Sequence, residues 1–93
     1  MEDTSAVRWI ASGRVQGVGF RWFVVRRAQA LNLAGWVTNL PDGRVEVVAR
    51  GPKVQIRSLE ESIAVGPDGA NVESVEKSDI PHQVVIPKTF TIK

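Results

Sequence analysis

The sequence of 93 residues contains no cysteine and only one histidine, His82, and this shortage excludes several kinds of chemistry. Without thiols there is no disulfide and no thiolate nucleophile, and a zinc site would have one imidazole and otherwise only carboxylates as ligands. A Ser–His–Asp triad would have to take its base from His82, which we interpret as an ordinary surface residue beside Pro81. The function must therefore depend on arginine, asparagine, carboxylates and backbone amides.

Long apolar runs are absent as well. No run approaches the roughly 20 residues that a helix needs to cross a bilayer, and no basic segment followed by an apolar one opens the chain. Apolar residues nevertheless make up 43% of the sequence and recur along its length, which is typical of a folded chain. We expect a single domain over residues 1–93 with a loose tail at 1–5, in a monomeric cytoplasmic protein.

Acidic residues are scarce in the first part of the chain, although the net charge of +2 conceals this. Residues 8–57 hold eight Arg and one Lys against Asp42 and Glu46, which gives +7, whereas residues 58–93 hold three Lys against six acids, which gives −3. The basic part favours an anionic partner, and charge alone leaves both a nucleic acid and a small phosphorylated ligand open. The arginines expected on a solvated face, where they could steer anions, are Arg8, Arg14, Arg26, Arg27, Arg44 and Arg50.

Apolar periodicity predicts strands and helices in alternation. The predicted strands are residues 6–12, 36–40, 44–50, 71–78 and a short last one at 89–92. The apolar stripe of a first helix consists of Phe20, Val24, Ala28 and Leu31, and that of a second helix consists of Ile56, Leu59 and Ile63. Residues 32–35 are expected to end the first helix through the left-handed conformation that glycine tolerates, and Gly51-Pro52 to break the third strand.

The element order β-α-β-β-α-β, with a short extra C-terminal strand, predicts an α+β fold of the ferredoxin-like α/β sandwich type. In this architecture two helices cover one face of a mainly antiparallel sheet. The aromatic residues Trp9, Trp36, Phe23 and Phe90 are expected in the core or on a sheet face. Since Val72 and Val75 lie three residues apart, the fourth strand could contain a β-bulge. Glu60 and Glu61 are expected to face water.

A glycine-punctuated segment, Gly13 to Arg21, joins the first strand to the first helix. Successive amides of such a turn and the free amides of a helix N-terminus can form a concave anion site. The segment lacks the Gly-Lys-Ser/Thr ending of a Walker A loop and the spacing of a dinucleotide fingerprint. Arg21 opens the helix, where its guanidinium can take two phosphate oxygens. From the loop alone, phosphate binding and a simple tight turn stay equally open.

Two motifs in the first half resemble those of the acylphosphatases. Gly13-Arg14-Val15-Gln16-Gly17-Val18-Gly19-Phe20-Arg21 is similar to the first signature of that family. The segment from Gly35 to Val45, which includes Thr38-Asn39-Leu40-Pro41-Asp42-Gly43, is similar to the second, and Gly51 closes it. The two motifs together cover residues 13–51, and the second half is similar only in its layout. Thr38 departs from the residues that the family prefers before the asparagine, from which we expect tuning rather than loss of activity.

The resemblance implies hydrolysis of small acyl phosphates to a carboxylate and inorganic phosphate, without a metal or other cofactor. It implies that Arg21 clamps the phosphoryl group and that Asn39 positions the attacking water. It further implies that the loop amides, those of Gln16, Gly17, Val18, Gly19 and Phe20, cradle the phosphate oxygens. Inorganic phosphate is expected as a product and inhibitor. Without the motifs, Asn39 would be interpreted as a turn residue, as is common before a sequence such as Leu-Pro-Asp-Gly.

Two other functions stay open. The first is a nucleic-acid-binding domain, which the basic first half favours, although residues 44–50 lack the solvent-facing aromatics of an RNA-reading strand. The second is a member of the same fold that binds phosphate or a carbamoyl-type ligand without turning it over. Asp42 and Glu46 are not convincing as a paired acid and base, because Asp42 is expected to serve the turn beside Gly43.

Overall fold

A computed structural model describes residues 3–81 and 84–93, so the surface position expected for His82 lies outside the described residues. The strands are β1 (Thr4–Arg14), β2 (Ala34–Asn39), β3 (Val45–Pro52), β4 (Asn71–Asp79) and β5 (Phe90–Ile92), and the helices are α1 (Phe20–Ala30) and α2 (Lys53–Val65). Neither helix in these ranges is long and apolar enough to cross a bilayer. The seven elements follow each other in the predicted order.

The strands form one five-stranded sheet in the order β4-β1-β3-β2-β5. Every neighbouring pair is antiparallel except β2 and β5, which run parallel with Gly35 opposite Phe90. Both helices pack on the same face, because buried residues of α1 and α2 share a single core with the strands. The predicted α+β sandwich is therefore confirmed, and the short last strand extends the sheet beside β2.

The main core lies between the sheet and the helices and follows the predicted periodicities. On β1, Trp9 is fully buried, and on β3 Val47 is as well, because alternate strand residues point toward the helices. The apolar faces of both helices pack against these strand residues. Phe20 of α1 is 2% exposed and Leu59 of α2 is 0% exposed. The indole Nε1 of Trp9 donates a 2.9 Å hydrogen bond to Oε1 of Glu60 on α2. Trp9 and Phe90 are thus core residues as predicted, and Phe23 packs partly buried against the same core.

The opposite, outer face of the sheet carries a second and smaller apolar cluster of Trp36, Val48 and Ile86. Since β4 and β5 lie at opposite edges of the sheet, the connection between them has to cross this face, and Ile86 from that connection is 7% exposed. Trp36 is itself only 8% exposed, and its Nε1 donates to Oε1 of Glu46 at 3.0 Å. No aromatic ring is therefore left open on this face in the described part of the chain, unlike the platform of an RNA reader.

Strands β1 and β3 both extend beyond their predicted ends. Thr4 and Ser5, expected in a loose tail, belong to β1 and lie opposite Pro52 and Gly51 of β3. Conversely, Gly51-Pro52 does not break β3 but ends it, directly before α2. Pro52 has φ −59° and ψ 143°, an extended conformation that suits a strand's last residue, and the next amide, that of Lys53, donates to the Asp3 carbonyl oxygen at 3.0 Å.

The end of α1 and the irregularity of β4 show how single residues shape the elements. Asn32, with φ 57°, adopts the left-handed conformation after α1, so the helix stops where predicted but through asparagine rather than glycine. The predicted bulge is present, because Ser12 pairs with Ser74 whereas Gly13 pairs with Val72, which leaves Glu73 extra. The bulge lets Val72 and Val75 pack against the same core.

Glu60 corrects one further expectation. It is expected only to face water, but two side chains hold its carboxylate. Trp9 Nε1 donates a hydrogen bond to it, and Lys77 Nζ lies 3.1 Å from it. The hydrogen bond from Trp9 lowers the pKa of Glu60, desolvation opposes that shift, and Lys77 and Arg57 add to it. The reason lies in the tertiary structure, because Glu60 of α2 lies above neighbouring residues of β1 and β4, which carry Trp9 and Lys77. Glu61 is exposed as predicted.

Candidate active site

The loop between β1 and α1 owes its shape to two glycines. Gly17 and Gly19 have φ values of 75° and 77°, a left-handed conformation that costs residues with a Cβ about 1–2 kcal/mol. An added Cβ would meet nothing within 4 Å at either position, so the need for glycine is conformational rather than steric. Gly19 is also the N-cap of α1. The two left-handed residues turn the chain sharply from the strand into the helix.

The amides of this loop are left without partners inside the protein. The first intrahelical bond of α1 runs from the Phe23 amide to the Gly19 carbonyl, so the amides of the first turn have no helical acceptor. In residues 3–81 and 84–93, the amides of Gln16 through Gly19 also donate to no protein acceptor. No side chain caps the helix, and its first turn contains no acidic residue. The loop is therefore a cluster of free donors at the positive end of a helix.

Arg21 lies in the first turn of α1, where its side chain is exposed. Among the described residues it forms neither an ion pair nor a side-chain hydrogen bond. A cation at this end of a helix is unfavourable by some tenths of a kcal/mol, because it faces the positive end of the helix dipole. A bound anion between the free amides and the guanidinium would remove that conflict.

Asn39 is the last residue of β2 and faces the helices. Val37, two residues before it, is fully buried in the main core, and strand alternation puts Asn39 on that same face and Thr38 on the outer one. The carbonyl oxygen Oδ1 of Asn39 is buried without a hydrogen-bond partner. In the described part of the chain this is true of only one other side-chain atom, Oε1 of Gln55, which does not line the cavity described next. Buried polar atoms without a partner within the protein are uncommon, and a water molecule or a ligand can supply the hydrogen bond.

A cavity of about 80 Å³ brings these groups together, and Arg21 and Asn39 both line it. The full lining is Val15, Gln16, Gly17, Gly19, Phe20, Arg21, Trp22 and Asn39. Of the predicted loop residues only Val18 is missing, because its side chain packs against the main core instead. The cavity therefore combines free amides, an unpaired guanidinium and an unpaired carboxamide oxygen, all suited to an anion and a water molecule.

The side chain of Gln16 joins the loop to the β2–β3 turn. Its Nε2 donates to the carbonyl oxygens of Leu40 at 2.9 Å and Arg44 at 3.0 Å. These carbonyls also close the turn, since the Leu40 amide donates to the Arg44 oxygen at 2.8 Å. Gln16 thus fixes the loop relative to the residue that follows Asn39. The sequence offered no signal for this role beyond a polar side chain in a glycine-rich loop, and it gave none for Trp22 at the cavity.

The carboxylates nearest in sequence to Asn39 are held away from the cavity. The backbone amide of Arg44 lowers the pKa of Asp42, desolvation opposes this, and the Arg44 guanidinium lowers it further. Asp42 therefore serves the turn, as predicted. Partial burial would raise the pKa of Glu46 on the outer face, but hydrogen bonds from Trp36 and Arg8 outweigh this and lower it. Among residues 3–81 and 84–93, no carboxylate or imidazole lines the cavity.

The six arginines expected on a solvated face differ in their exposure and in their partners. Arg8 is paired with Glu46, Arg44 with Asp42, and Arg27 Nε donates to Ser62 Oγ at 3.0 Å. The exposed members are Arg14, Arg26, Arg27 and Arg50, as expected. Arg8 and Arg44 are instead partly buried, each beside its carboxylate partner.

A larger cavity, of about 440 Å³, lies elsewhere, at the outer face beneath the β4–β5 connection. Its lining includes Ala6, Ile80 and Ile86, together with Arg50 and Asp79. Its described lining contains no glycine turn and no helix N-terminus, so it lacks the cluster of free backbone amides found at the smaller cavity. The chemistry therefore points to the smaller cavity despite its size.

The chain is similar to known proteins over nearly its whole length. The sequence model of the acylphosphatase family matches residues 7–92. An acylphosphatase from Koribacter versatilis is 45% identical over 92 residues, which cover 99% of this chain and 83% of that protein. The structure of an acylphosphatase from Coxiella burnetii superposes with a TM-score of 0.88 at 36% identity, covering 98% of this chain and 94% of that one. That of an acylphosphatase from Bacillus subtilis gives 0.83 at 40% identity, covering 98% and 99%.

Proposed function

Because the chain belongs to the acylphosphatase family and hydrolyses acyl phosphates, we propose that Arg21 holds the phosphoryl group while Asn39 positions the attacking water. The observation that carries the proposal is the cavity itself. It places an unpaired guanidinium, free loop amides and the buried, unpaired Oδ1 of Asn39 around one small volume. Each of these groups lacks a partner that a phosphoryl group or a water molecule would supply.

The phosphoryl group binds in the loop. Amides from Gln16 to Phe20 donate to its oxygens, and the helix dipole and Arg21 balance its charge. The negative charge spreads over the equatorial oxygens as the bond to the leaving group lengthens, so donors fixed before the reaction stabilise the transition state. Gly17 and Gly19 allow the backbone to present these donors, and Gln16 holds the loop in place.

The water molecule lies against Asn39. It donates one O–H to Oδ1, which leaves an oxygen lone pair directed at phosphorus. Attack forms the new P–O bond while the bond from phosphorus to the carboxyl oxygen breaks, and its electron pair leaves with the carboxylate. The second proton of the water passes to a phosphoryl oxygen of the substrate, so that the products are a carboxylate and inorganic phosphate.

The described lining of the cavity holds no carboxylate and no imidazole, which fits this substrate. A carboxylate leaving group has a pKa near 4, comparable with that of free Asp or Glu, so it departs without being protonated. Phosphoryl transfer depends mainly on positioning and charge stabilisation. We therefore propose that the reaction needs no metal or other cofactor, and that the enzyme acts as a cytoplasmic monomer of one domain. Inorganic phosphate, which resembles the bound phosphoryl group, is expected to compete with substrate.

Acyl-phosphate hydrolysis by purified variants tests these roles. Arg21→Ala and Asn39→Ala are each expected to lower kcat/KM by on the order of 10²-fold or more, since each removes a group that stabilises the transition state. Arg26→Ala is the matched control, because Arg26 is an exposed arginine of the same helix that does not line the cavity. The control is expected to keep the wild-type rate.

Two outcomes would contradict the proposal. If folded wild-type protein does not hydrolyse acetyl or benzoyl phosphate above the rate in buffer, the enzymatic activity itself is wrong for this chain. If Arg26→Ala loses as much activity as Arg21→Ala, the general charge of the helix matters rather than a specific clamp. Circular dichroism of each variant verifies that the fold is kept.

A further inference from the structure

The cavity is too small to enclose an acyl phosphate with a bulky acyl group. Its volume is about 80 Å³, whereas pockets that bury most of a drug-sized ligand measure about 300–1,000 Å³. With the phosphoryl group and the attacking water inside, the acyl portion must extend past the rim. Residues at the rim therefore decide which acyl group is preferred, and this step rests on the proposed function.

Trp22 stands at that rim. It follows Arg21 in the first turn of α1, lines the cavity, and is 64% exposed. Single exposed apolar residues are ordinary on protein surfaces. The other large apolar residues that are exposed in the described part of the chain are Val54, Val65, Val84 and Val85, and none of them lines this cavity.

The other two tryptophans have structural partners that Trp22 lacks. Trp9 Nε1 donates to Glu60 and Trp36 Nε1 donates to Glu46, and both rings are buried. Within residues 3–81 and 84–93, Trp22 Nε1 donates to no acceptor. The exposed indole thus contributes little to the fold and leaves a broad apolar ring face beside the phosphoryl site.

We propose that Trp22 is the acyl-binding residue of this enzyme and gives it a preference for acyl phosphates with an aromatic acyl group. An indole face stacks on an aromatic ring in an offset or edge-to-face arrangement, an attraction that adds to the burial of apolar area. An acetyl group is too small to cover the indole. The preference follows from contacts outside the chemical step, so it affects KM more than kcat.

Steady-state kinetics with benzoyl phosphate and acetyl phosphate test this inference. Trp22→Ala is expected to raise KM for benzoyl phosphate by about 3- to 10-fold, with a smaller change for acetyl phosphate. Trp22→Phe is expected to keep most of the benzoyl preference, because the ring is retained, whereas Trp22→Leu is expected to lose it. Val54→Ala is the control, because Val54 is an exposed apolar residue on α2, and it is expected to leave KM and kcat for both substrates unchanged.

The outcomes separate this inference from the mechanism it rests on. Equal losses for both substrates, or a benzoyl-to-acetyl ratio of kcat/KM that Trp22→Ala and Trp22→Leu leave unchanged, would overturn the role of Trp22 alone. A folded wild-type protein that hydrolyses neither substrate would overturn the proposed function and this inference together. If Trp22→Ala does not fold, Trp22→Phe and Trp22→Leu supply the same comparison with less loss of volume.

Discussion

Replacing Gln16 with methionine should slow catalysis far more than it weakens the fold. Methionine has a similar length but no N–H donor, so the variant removes the hydrogen bonds to the Leu40 and Arg44 carbonyls and keeps the volume. Two such bonds contribute about 1–3 kcal/mol to stability in general. Both carbonyls keep a second donor, the amides of Gly43 and Leu40, so the loss should lie near about 1 kcal/mol.

The catalytic effect of the same change has a different origin. Gln16 connects the phosphate loop to the turn that follows Asn39, so its loss allows the bound phosphoryl group and the positioned water to move relative to each other. A displacement of about 1 Å can lower a rate by about 10²-fold. We expect kcat on acetyl phosphate to fall by about 10- to 100-fold while KM changes less. A loss of about 1 kcal/mol would leave a domain of ordinary stability folded.

The assay pairs steady-state kinetics with urea unfolding monitored by fluorescence. Gln29→Met is the matched control, because Gln29 Nε2 also donates to a backbone carbonyl, that of Phe90 at 3.3 Å, and does not line the cavity. The control should lose a comparable or smaller amount of stability and keep its kcat. A Gln16→Met protein with wild-type kcat, or with no greater loss than Gln29→Met, would refute the positioning role.

Two further predictions concern stability. Because hydrogen bonds from Trp9 and then Lys77 lower the pKa of Glu60 below its ordinary 4.5, its charge stabilises the fold above that pH, and the contribution is lost as pH falls through the lowered value. Glu60→Gln should therefore unfold at lower urea concentration than wild type at pH 7, with the difference closing as the pH falls below 4.5; a difference that stays constant with pH would contradict this. Gly35→Ala should destabilise by about 3 kcal/mol or more, because φ is 143° and the new Cβ would lie 1.9 Å from the Val48 carbonyl oxygen; thermal unfolding with an unchanged midpoint would contradict it.

Local patterns in the sequence predicted much of the fold. The stripes at Phe20 and Ile56 and the alternation through Trp9 predicted elements whose apolar faces do meet in one core. The spacing of Val72 and Val75 even predicted the bulge, because only an extra residue lets both point inward. What failed depends on distant partners: Glu60 meets Trp9 from 51 residues away, and Thr4 becomes a strand residue only through Pro52.

The candidate site, like the fold, could be predicted from the sequence only in part. Glycines and an arginine between a strand and a helix left an anion loop and a simple tight turn equally open, and Asn39 entered only through the resemblance of the second motif. The structure brings Arg21 and Asn39 to one cavity. The support from Gln16 could not be predicted, because its acceptors are backbone carbonyls 24 and 28 residues away, and carbonyls carry no sequence signal.

The strand order also bears on how the chain folds. β1 is synthesised first, yet it lies inside the sheet, where Trp9 pairs with Val47 on one side and Lys77 on the other. At ordinary rates of translation, on the order of several seconds separate the synthesis of β1 from that of β4. During that interval one edge of β1 has no native neighbour, and unpaired strand edges invite association with other chains. Closing the sheet also requires large loops, which slows folding relative to helical proteins of this size. Pairing with β4, the later-made partner of β1, therefore covers the strand edge that is unpaired until then.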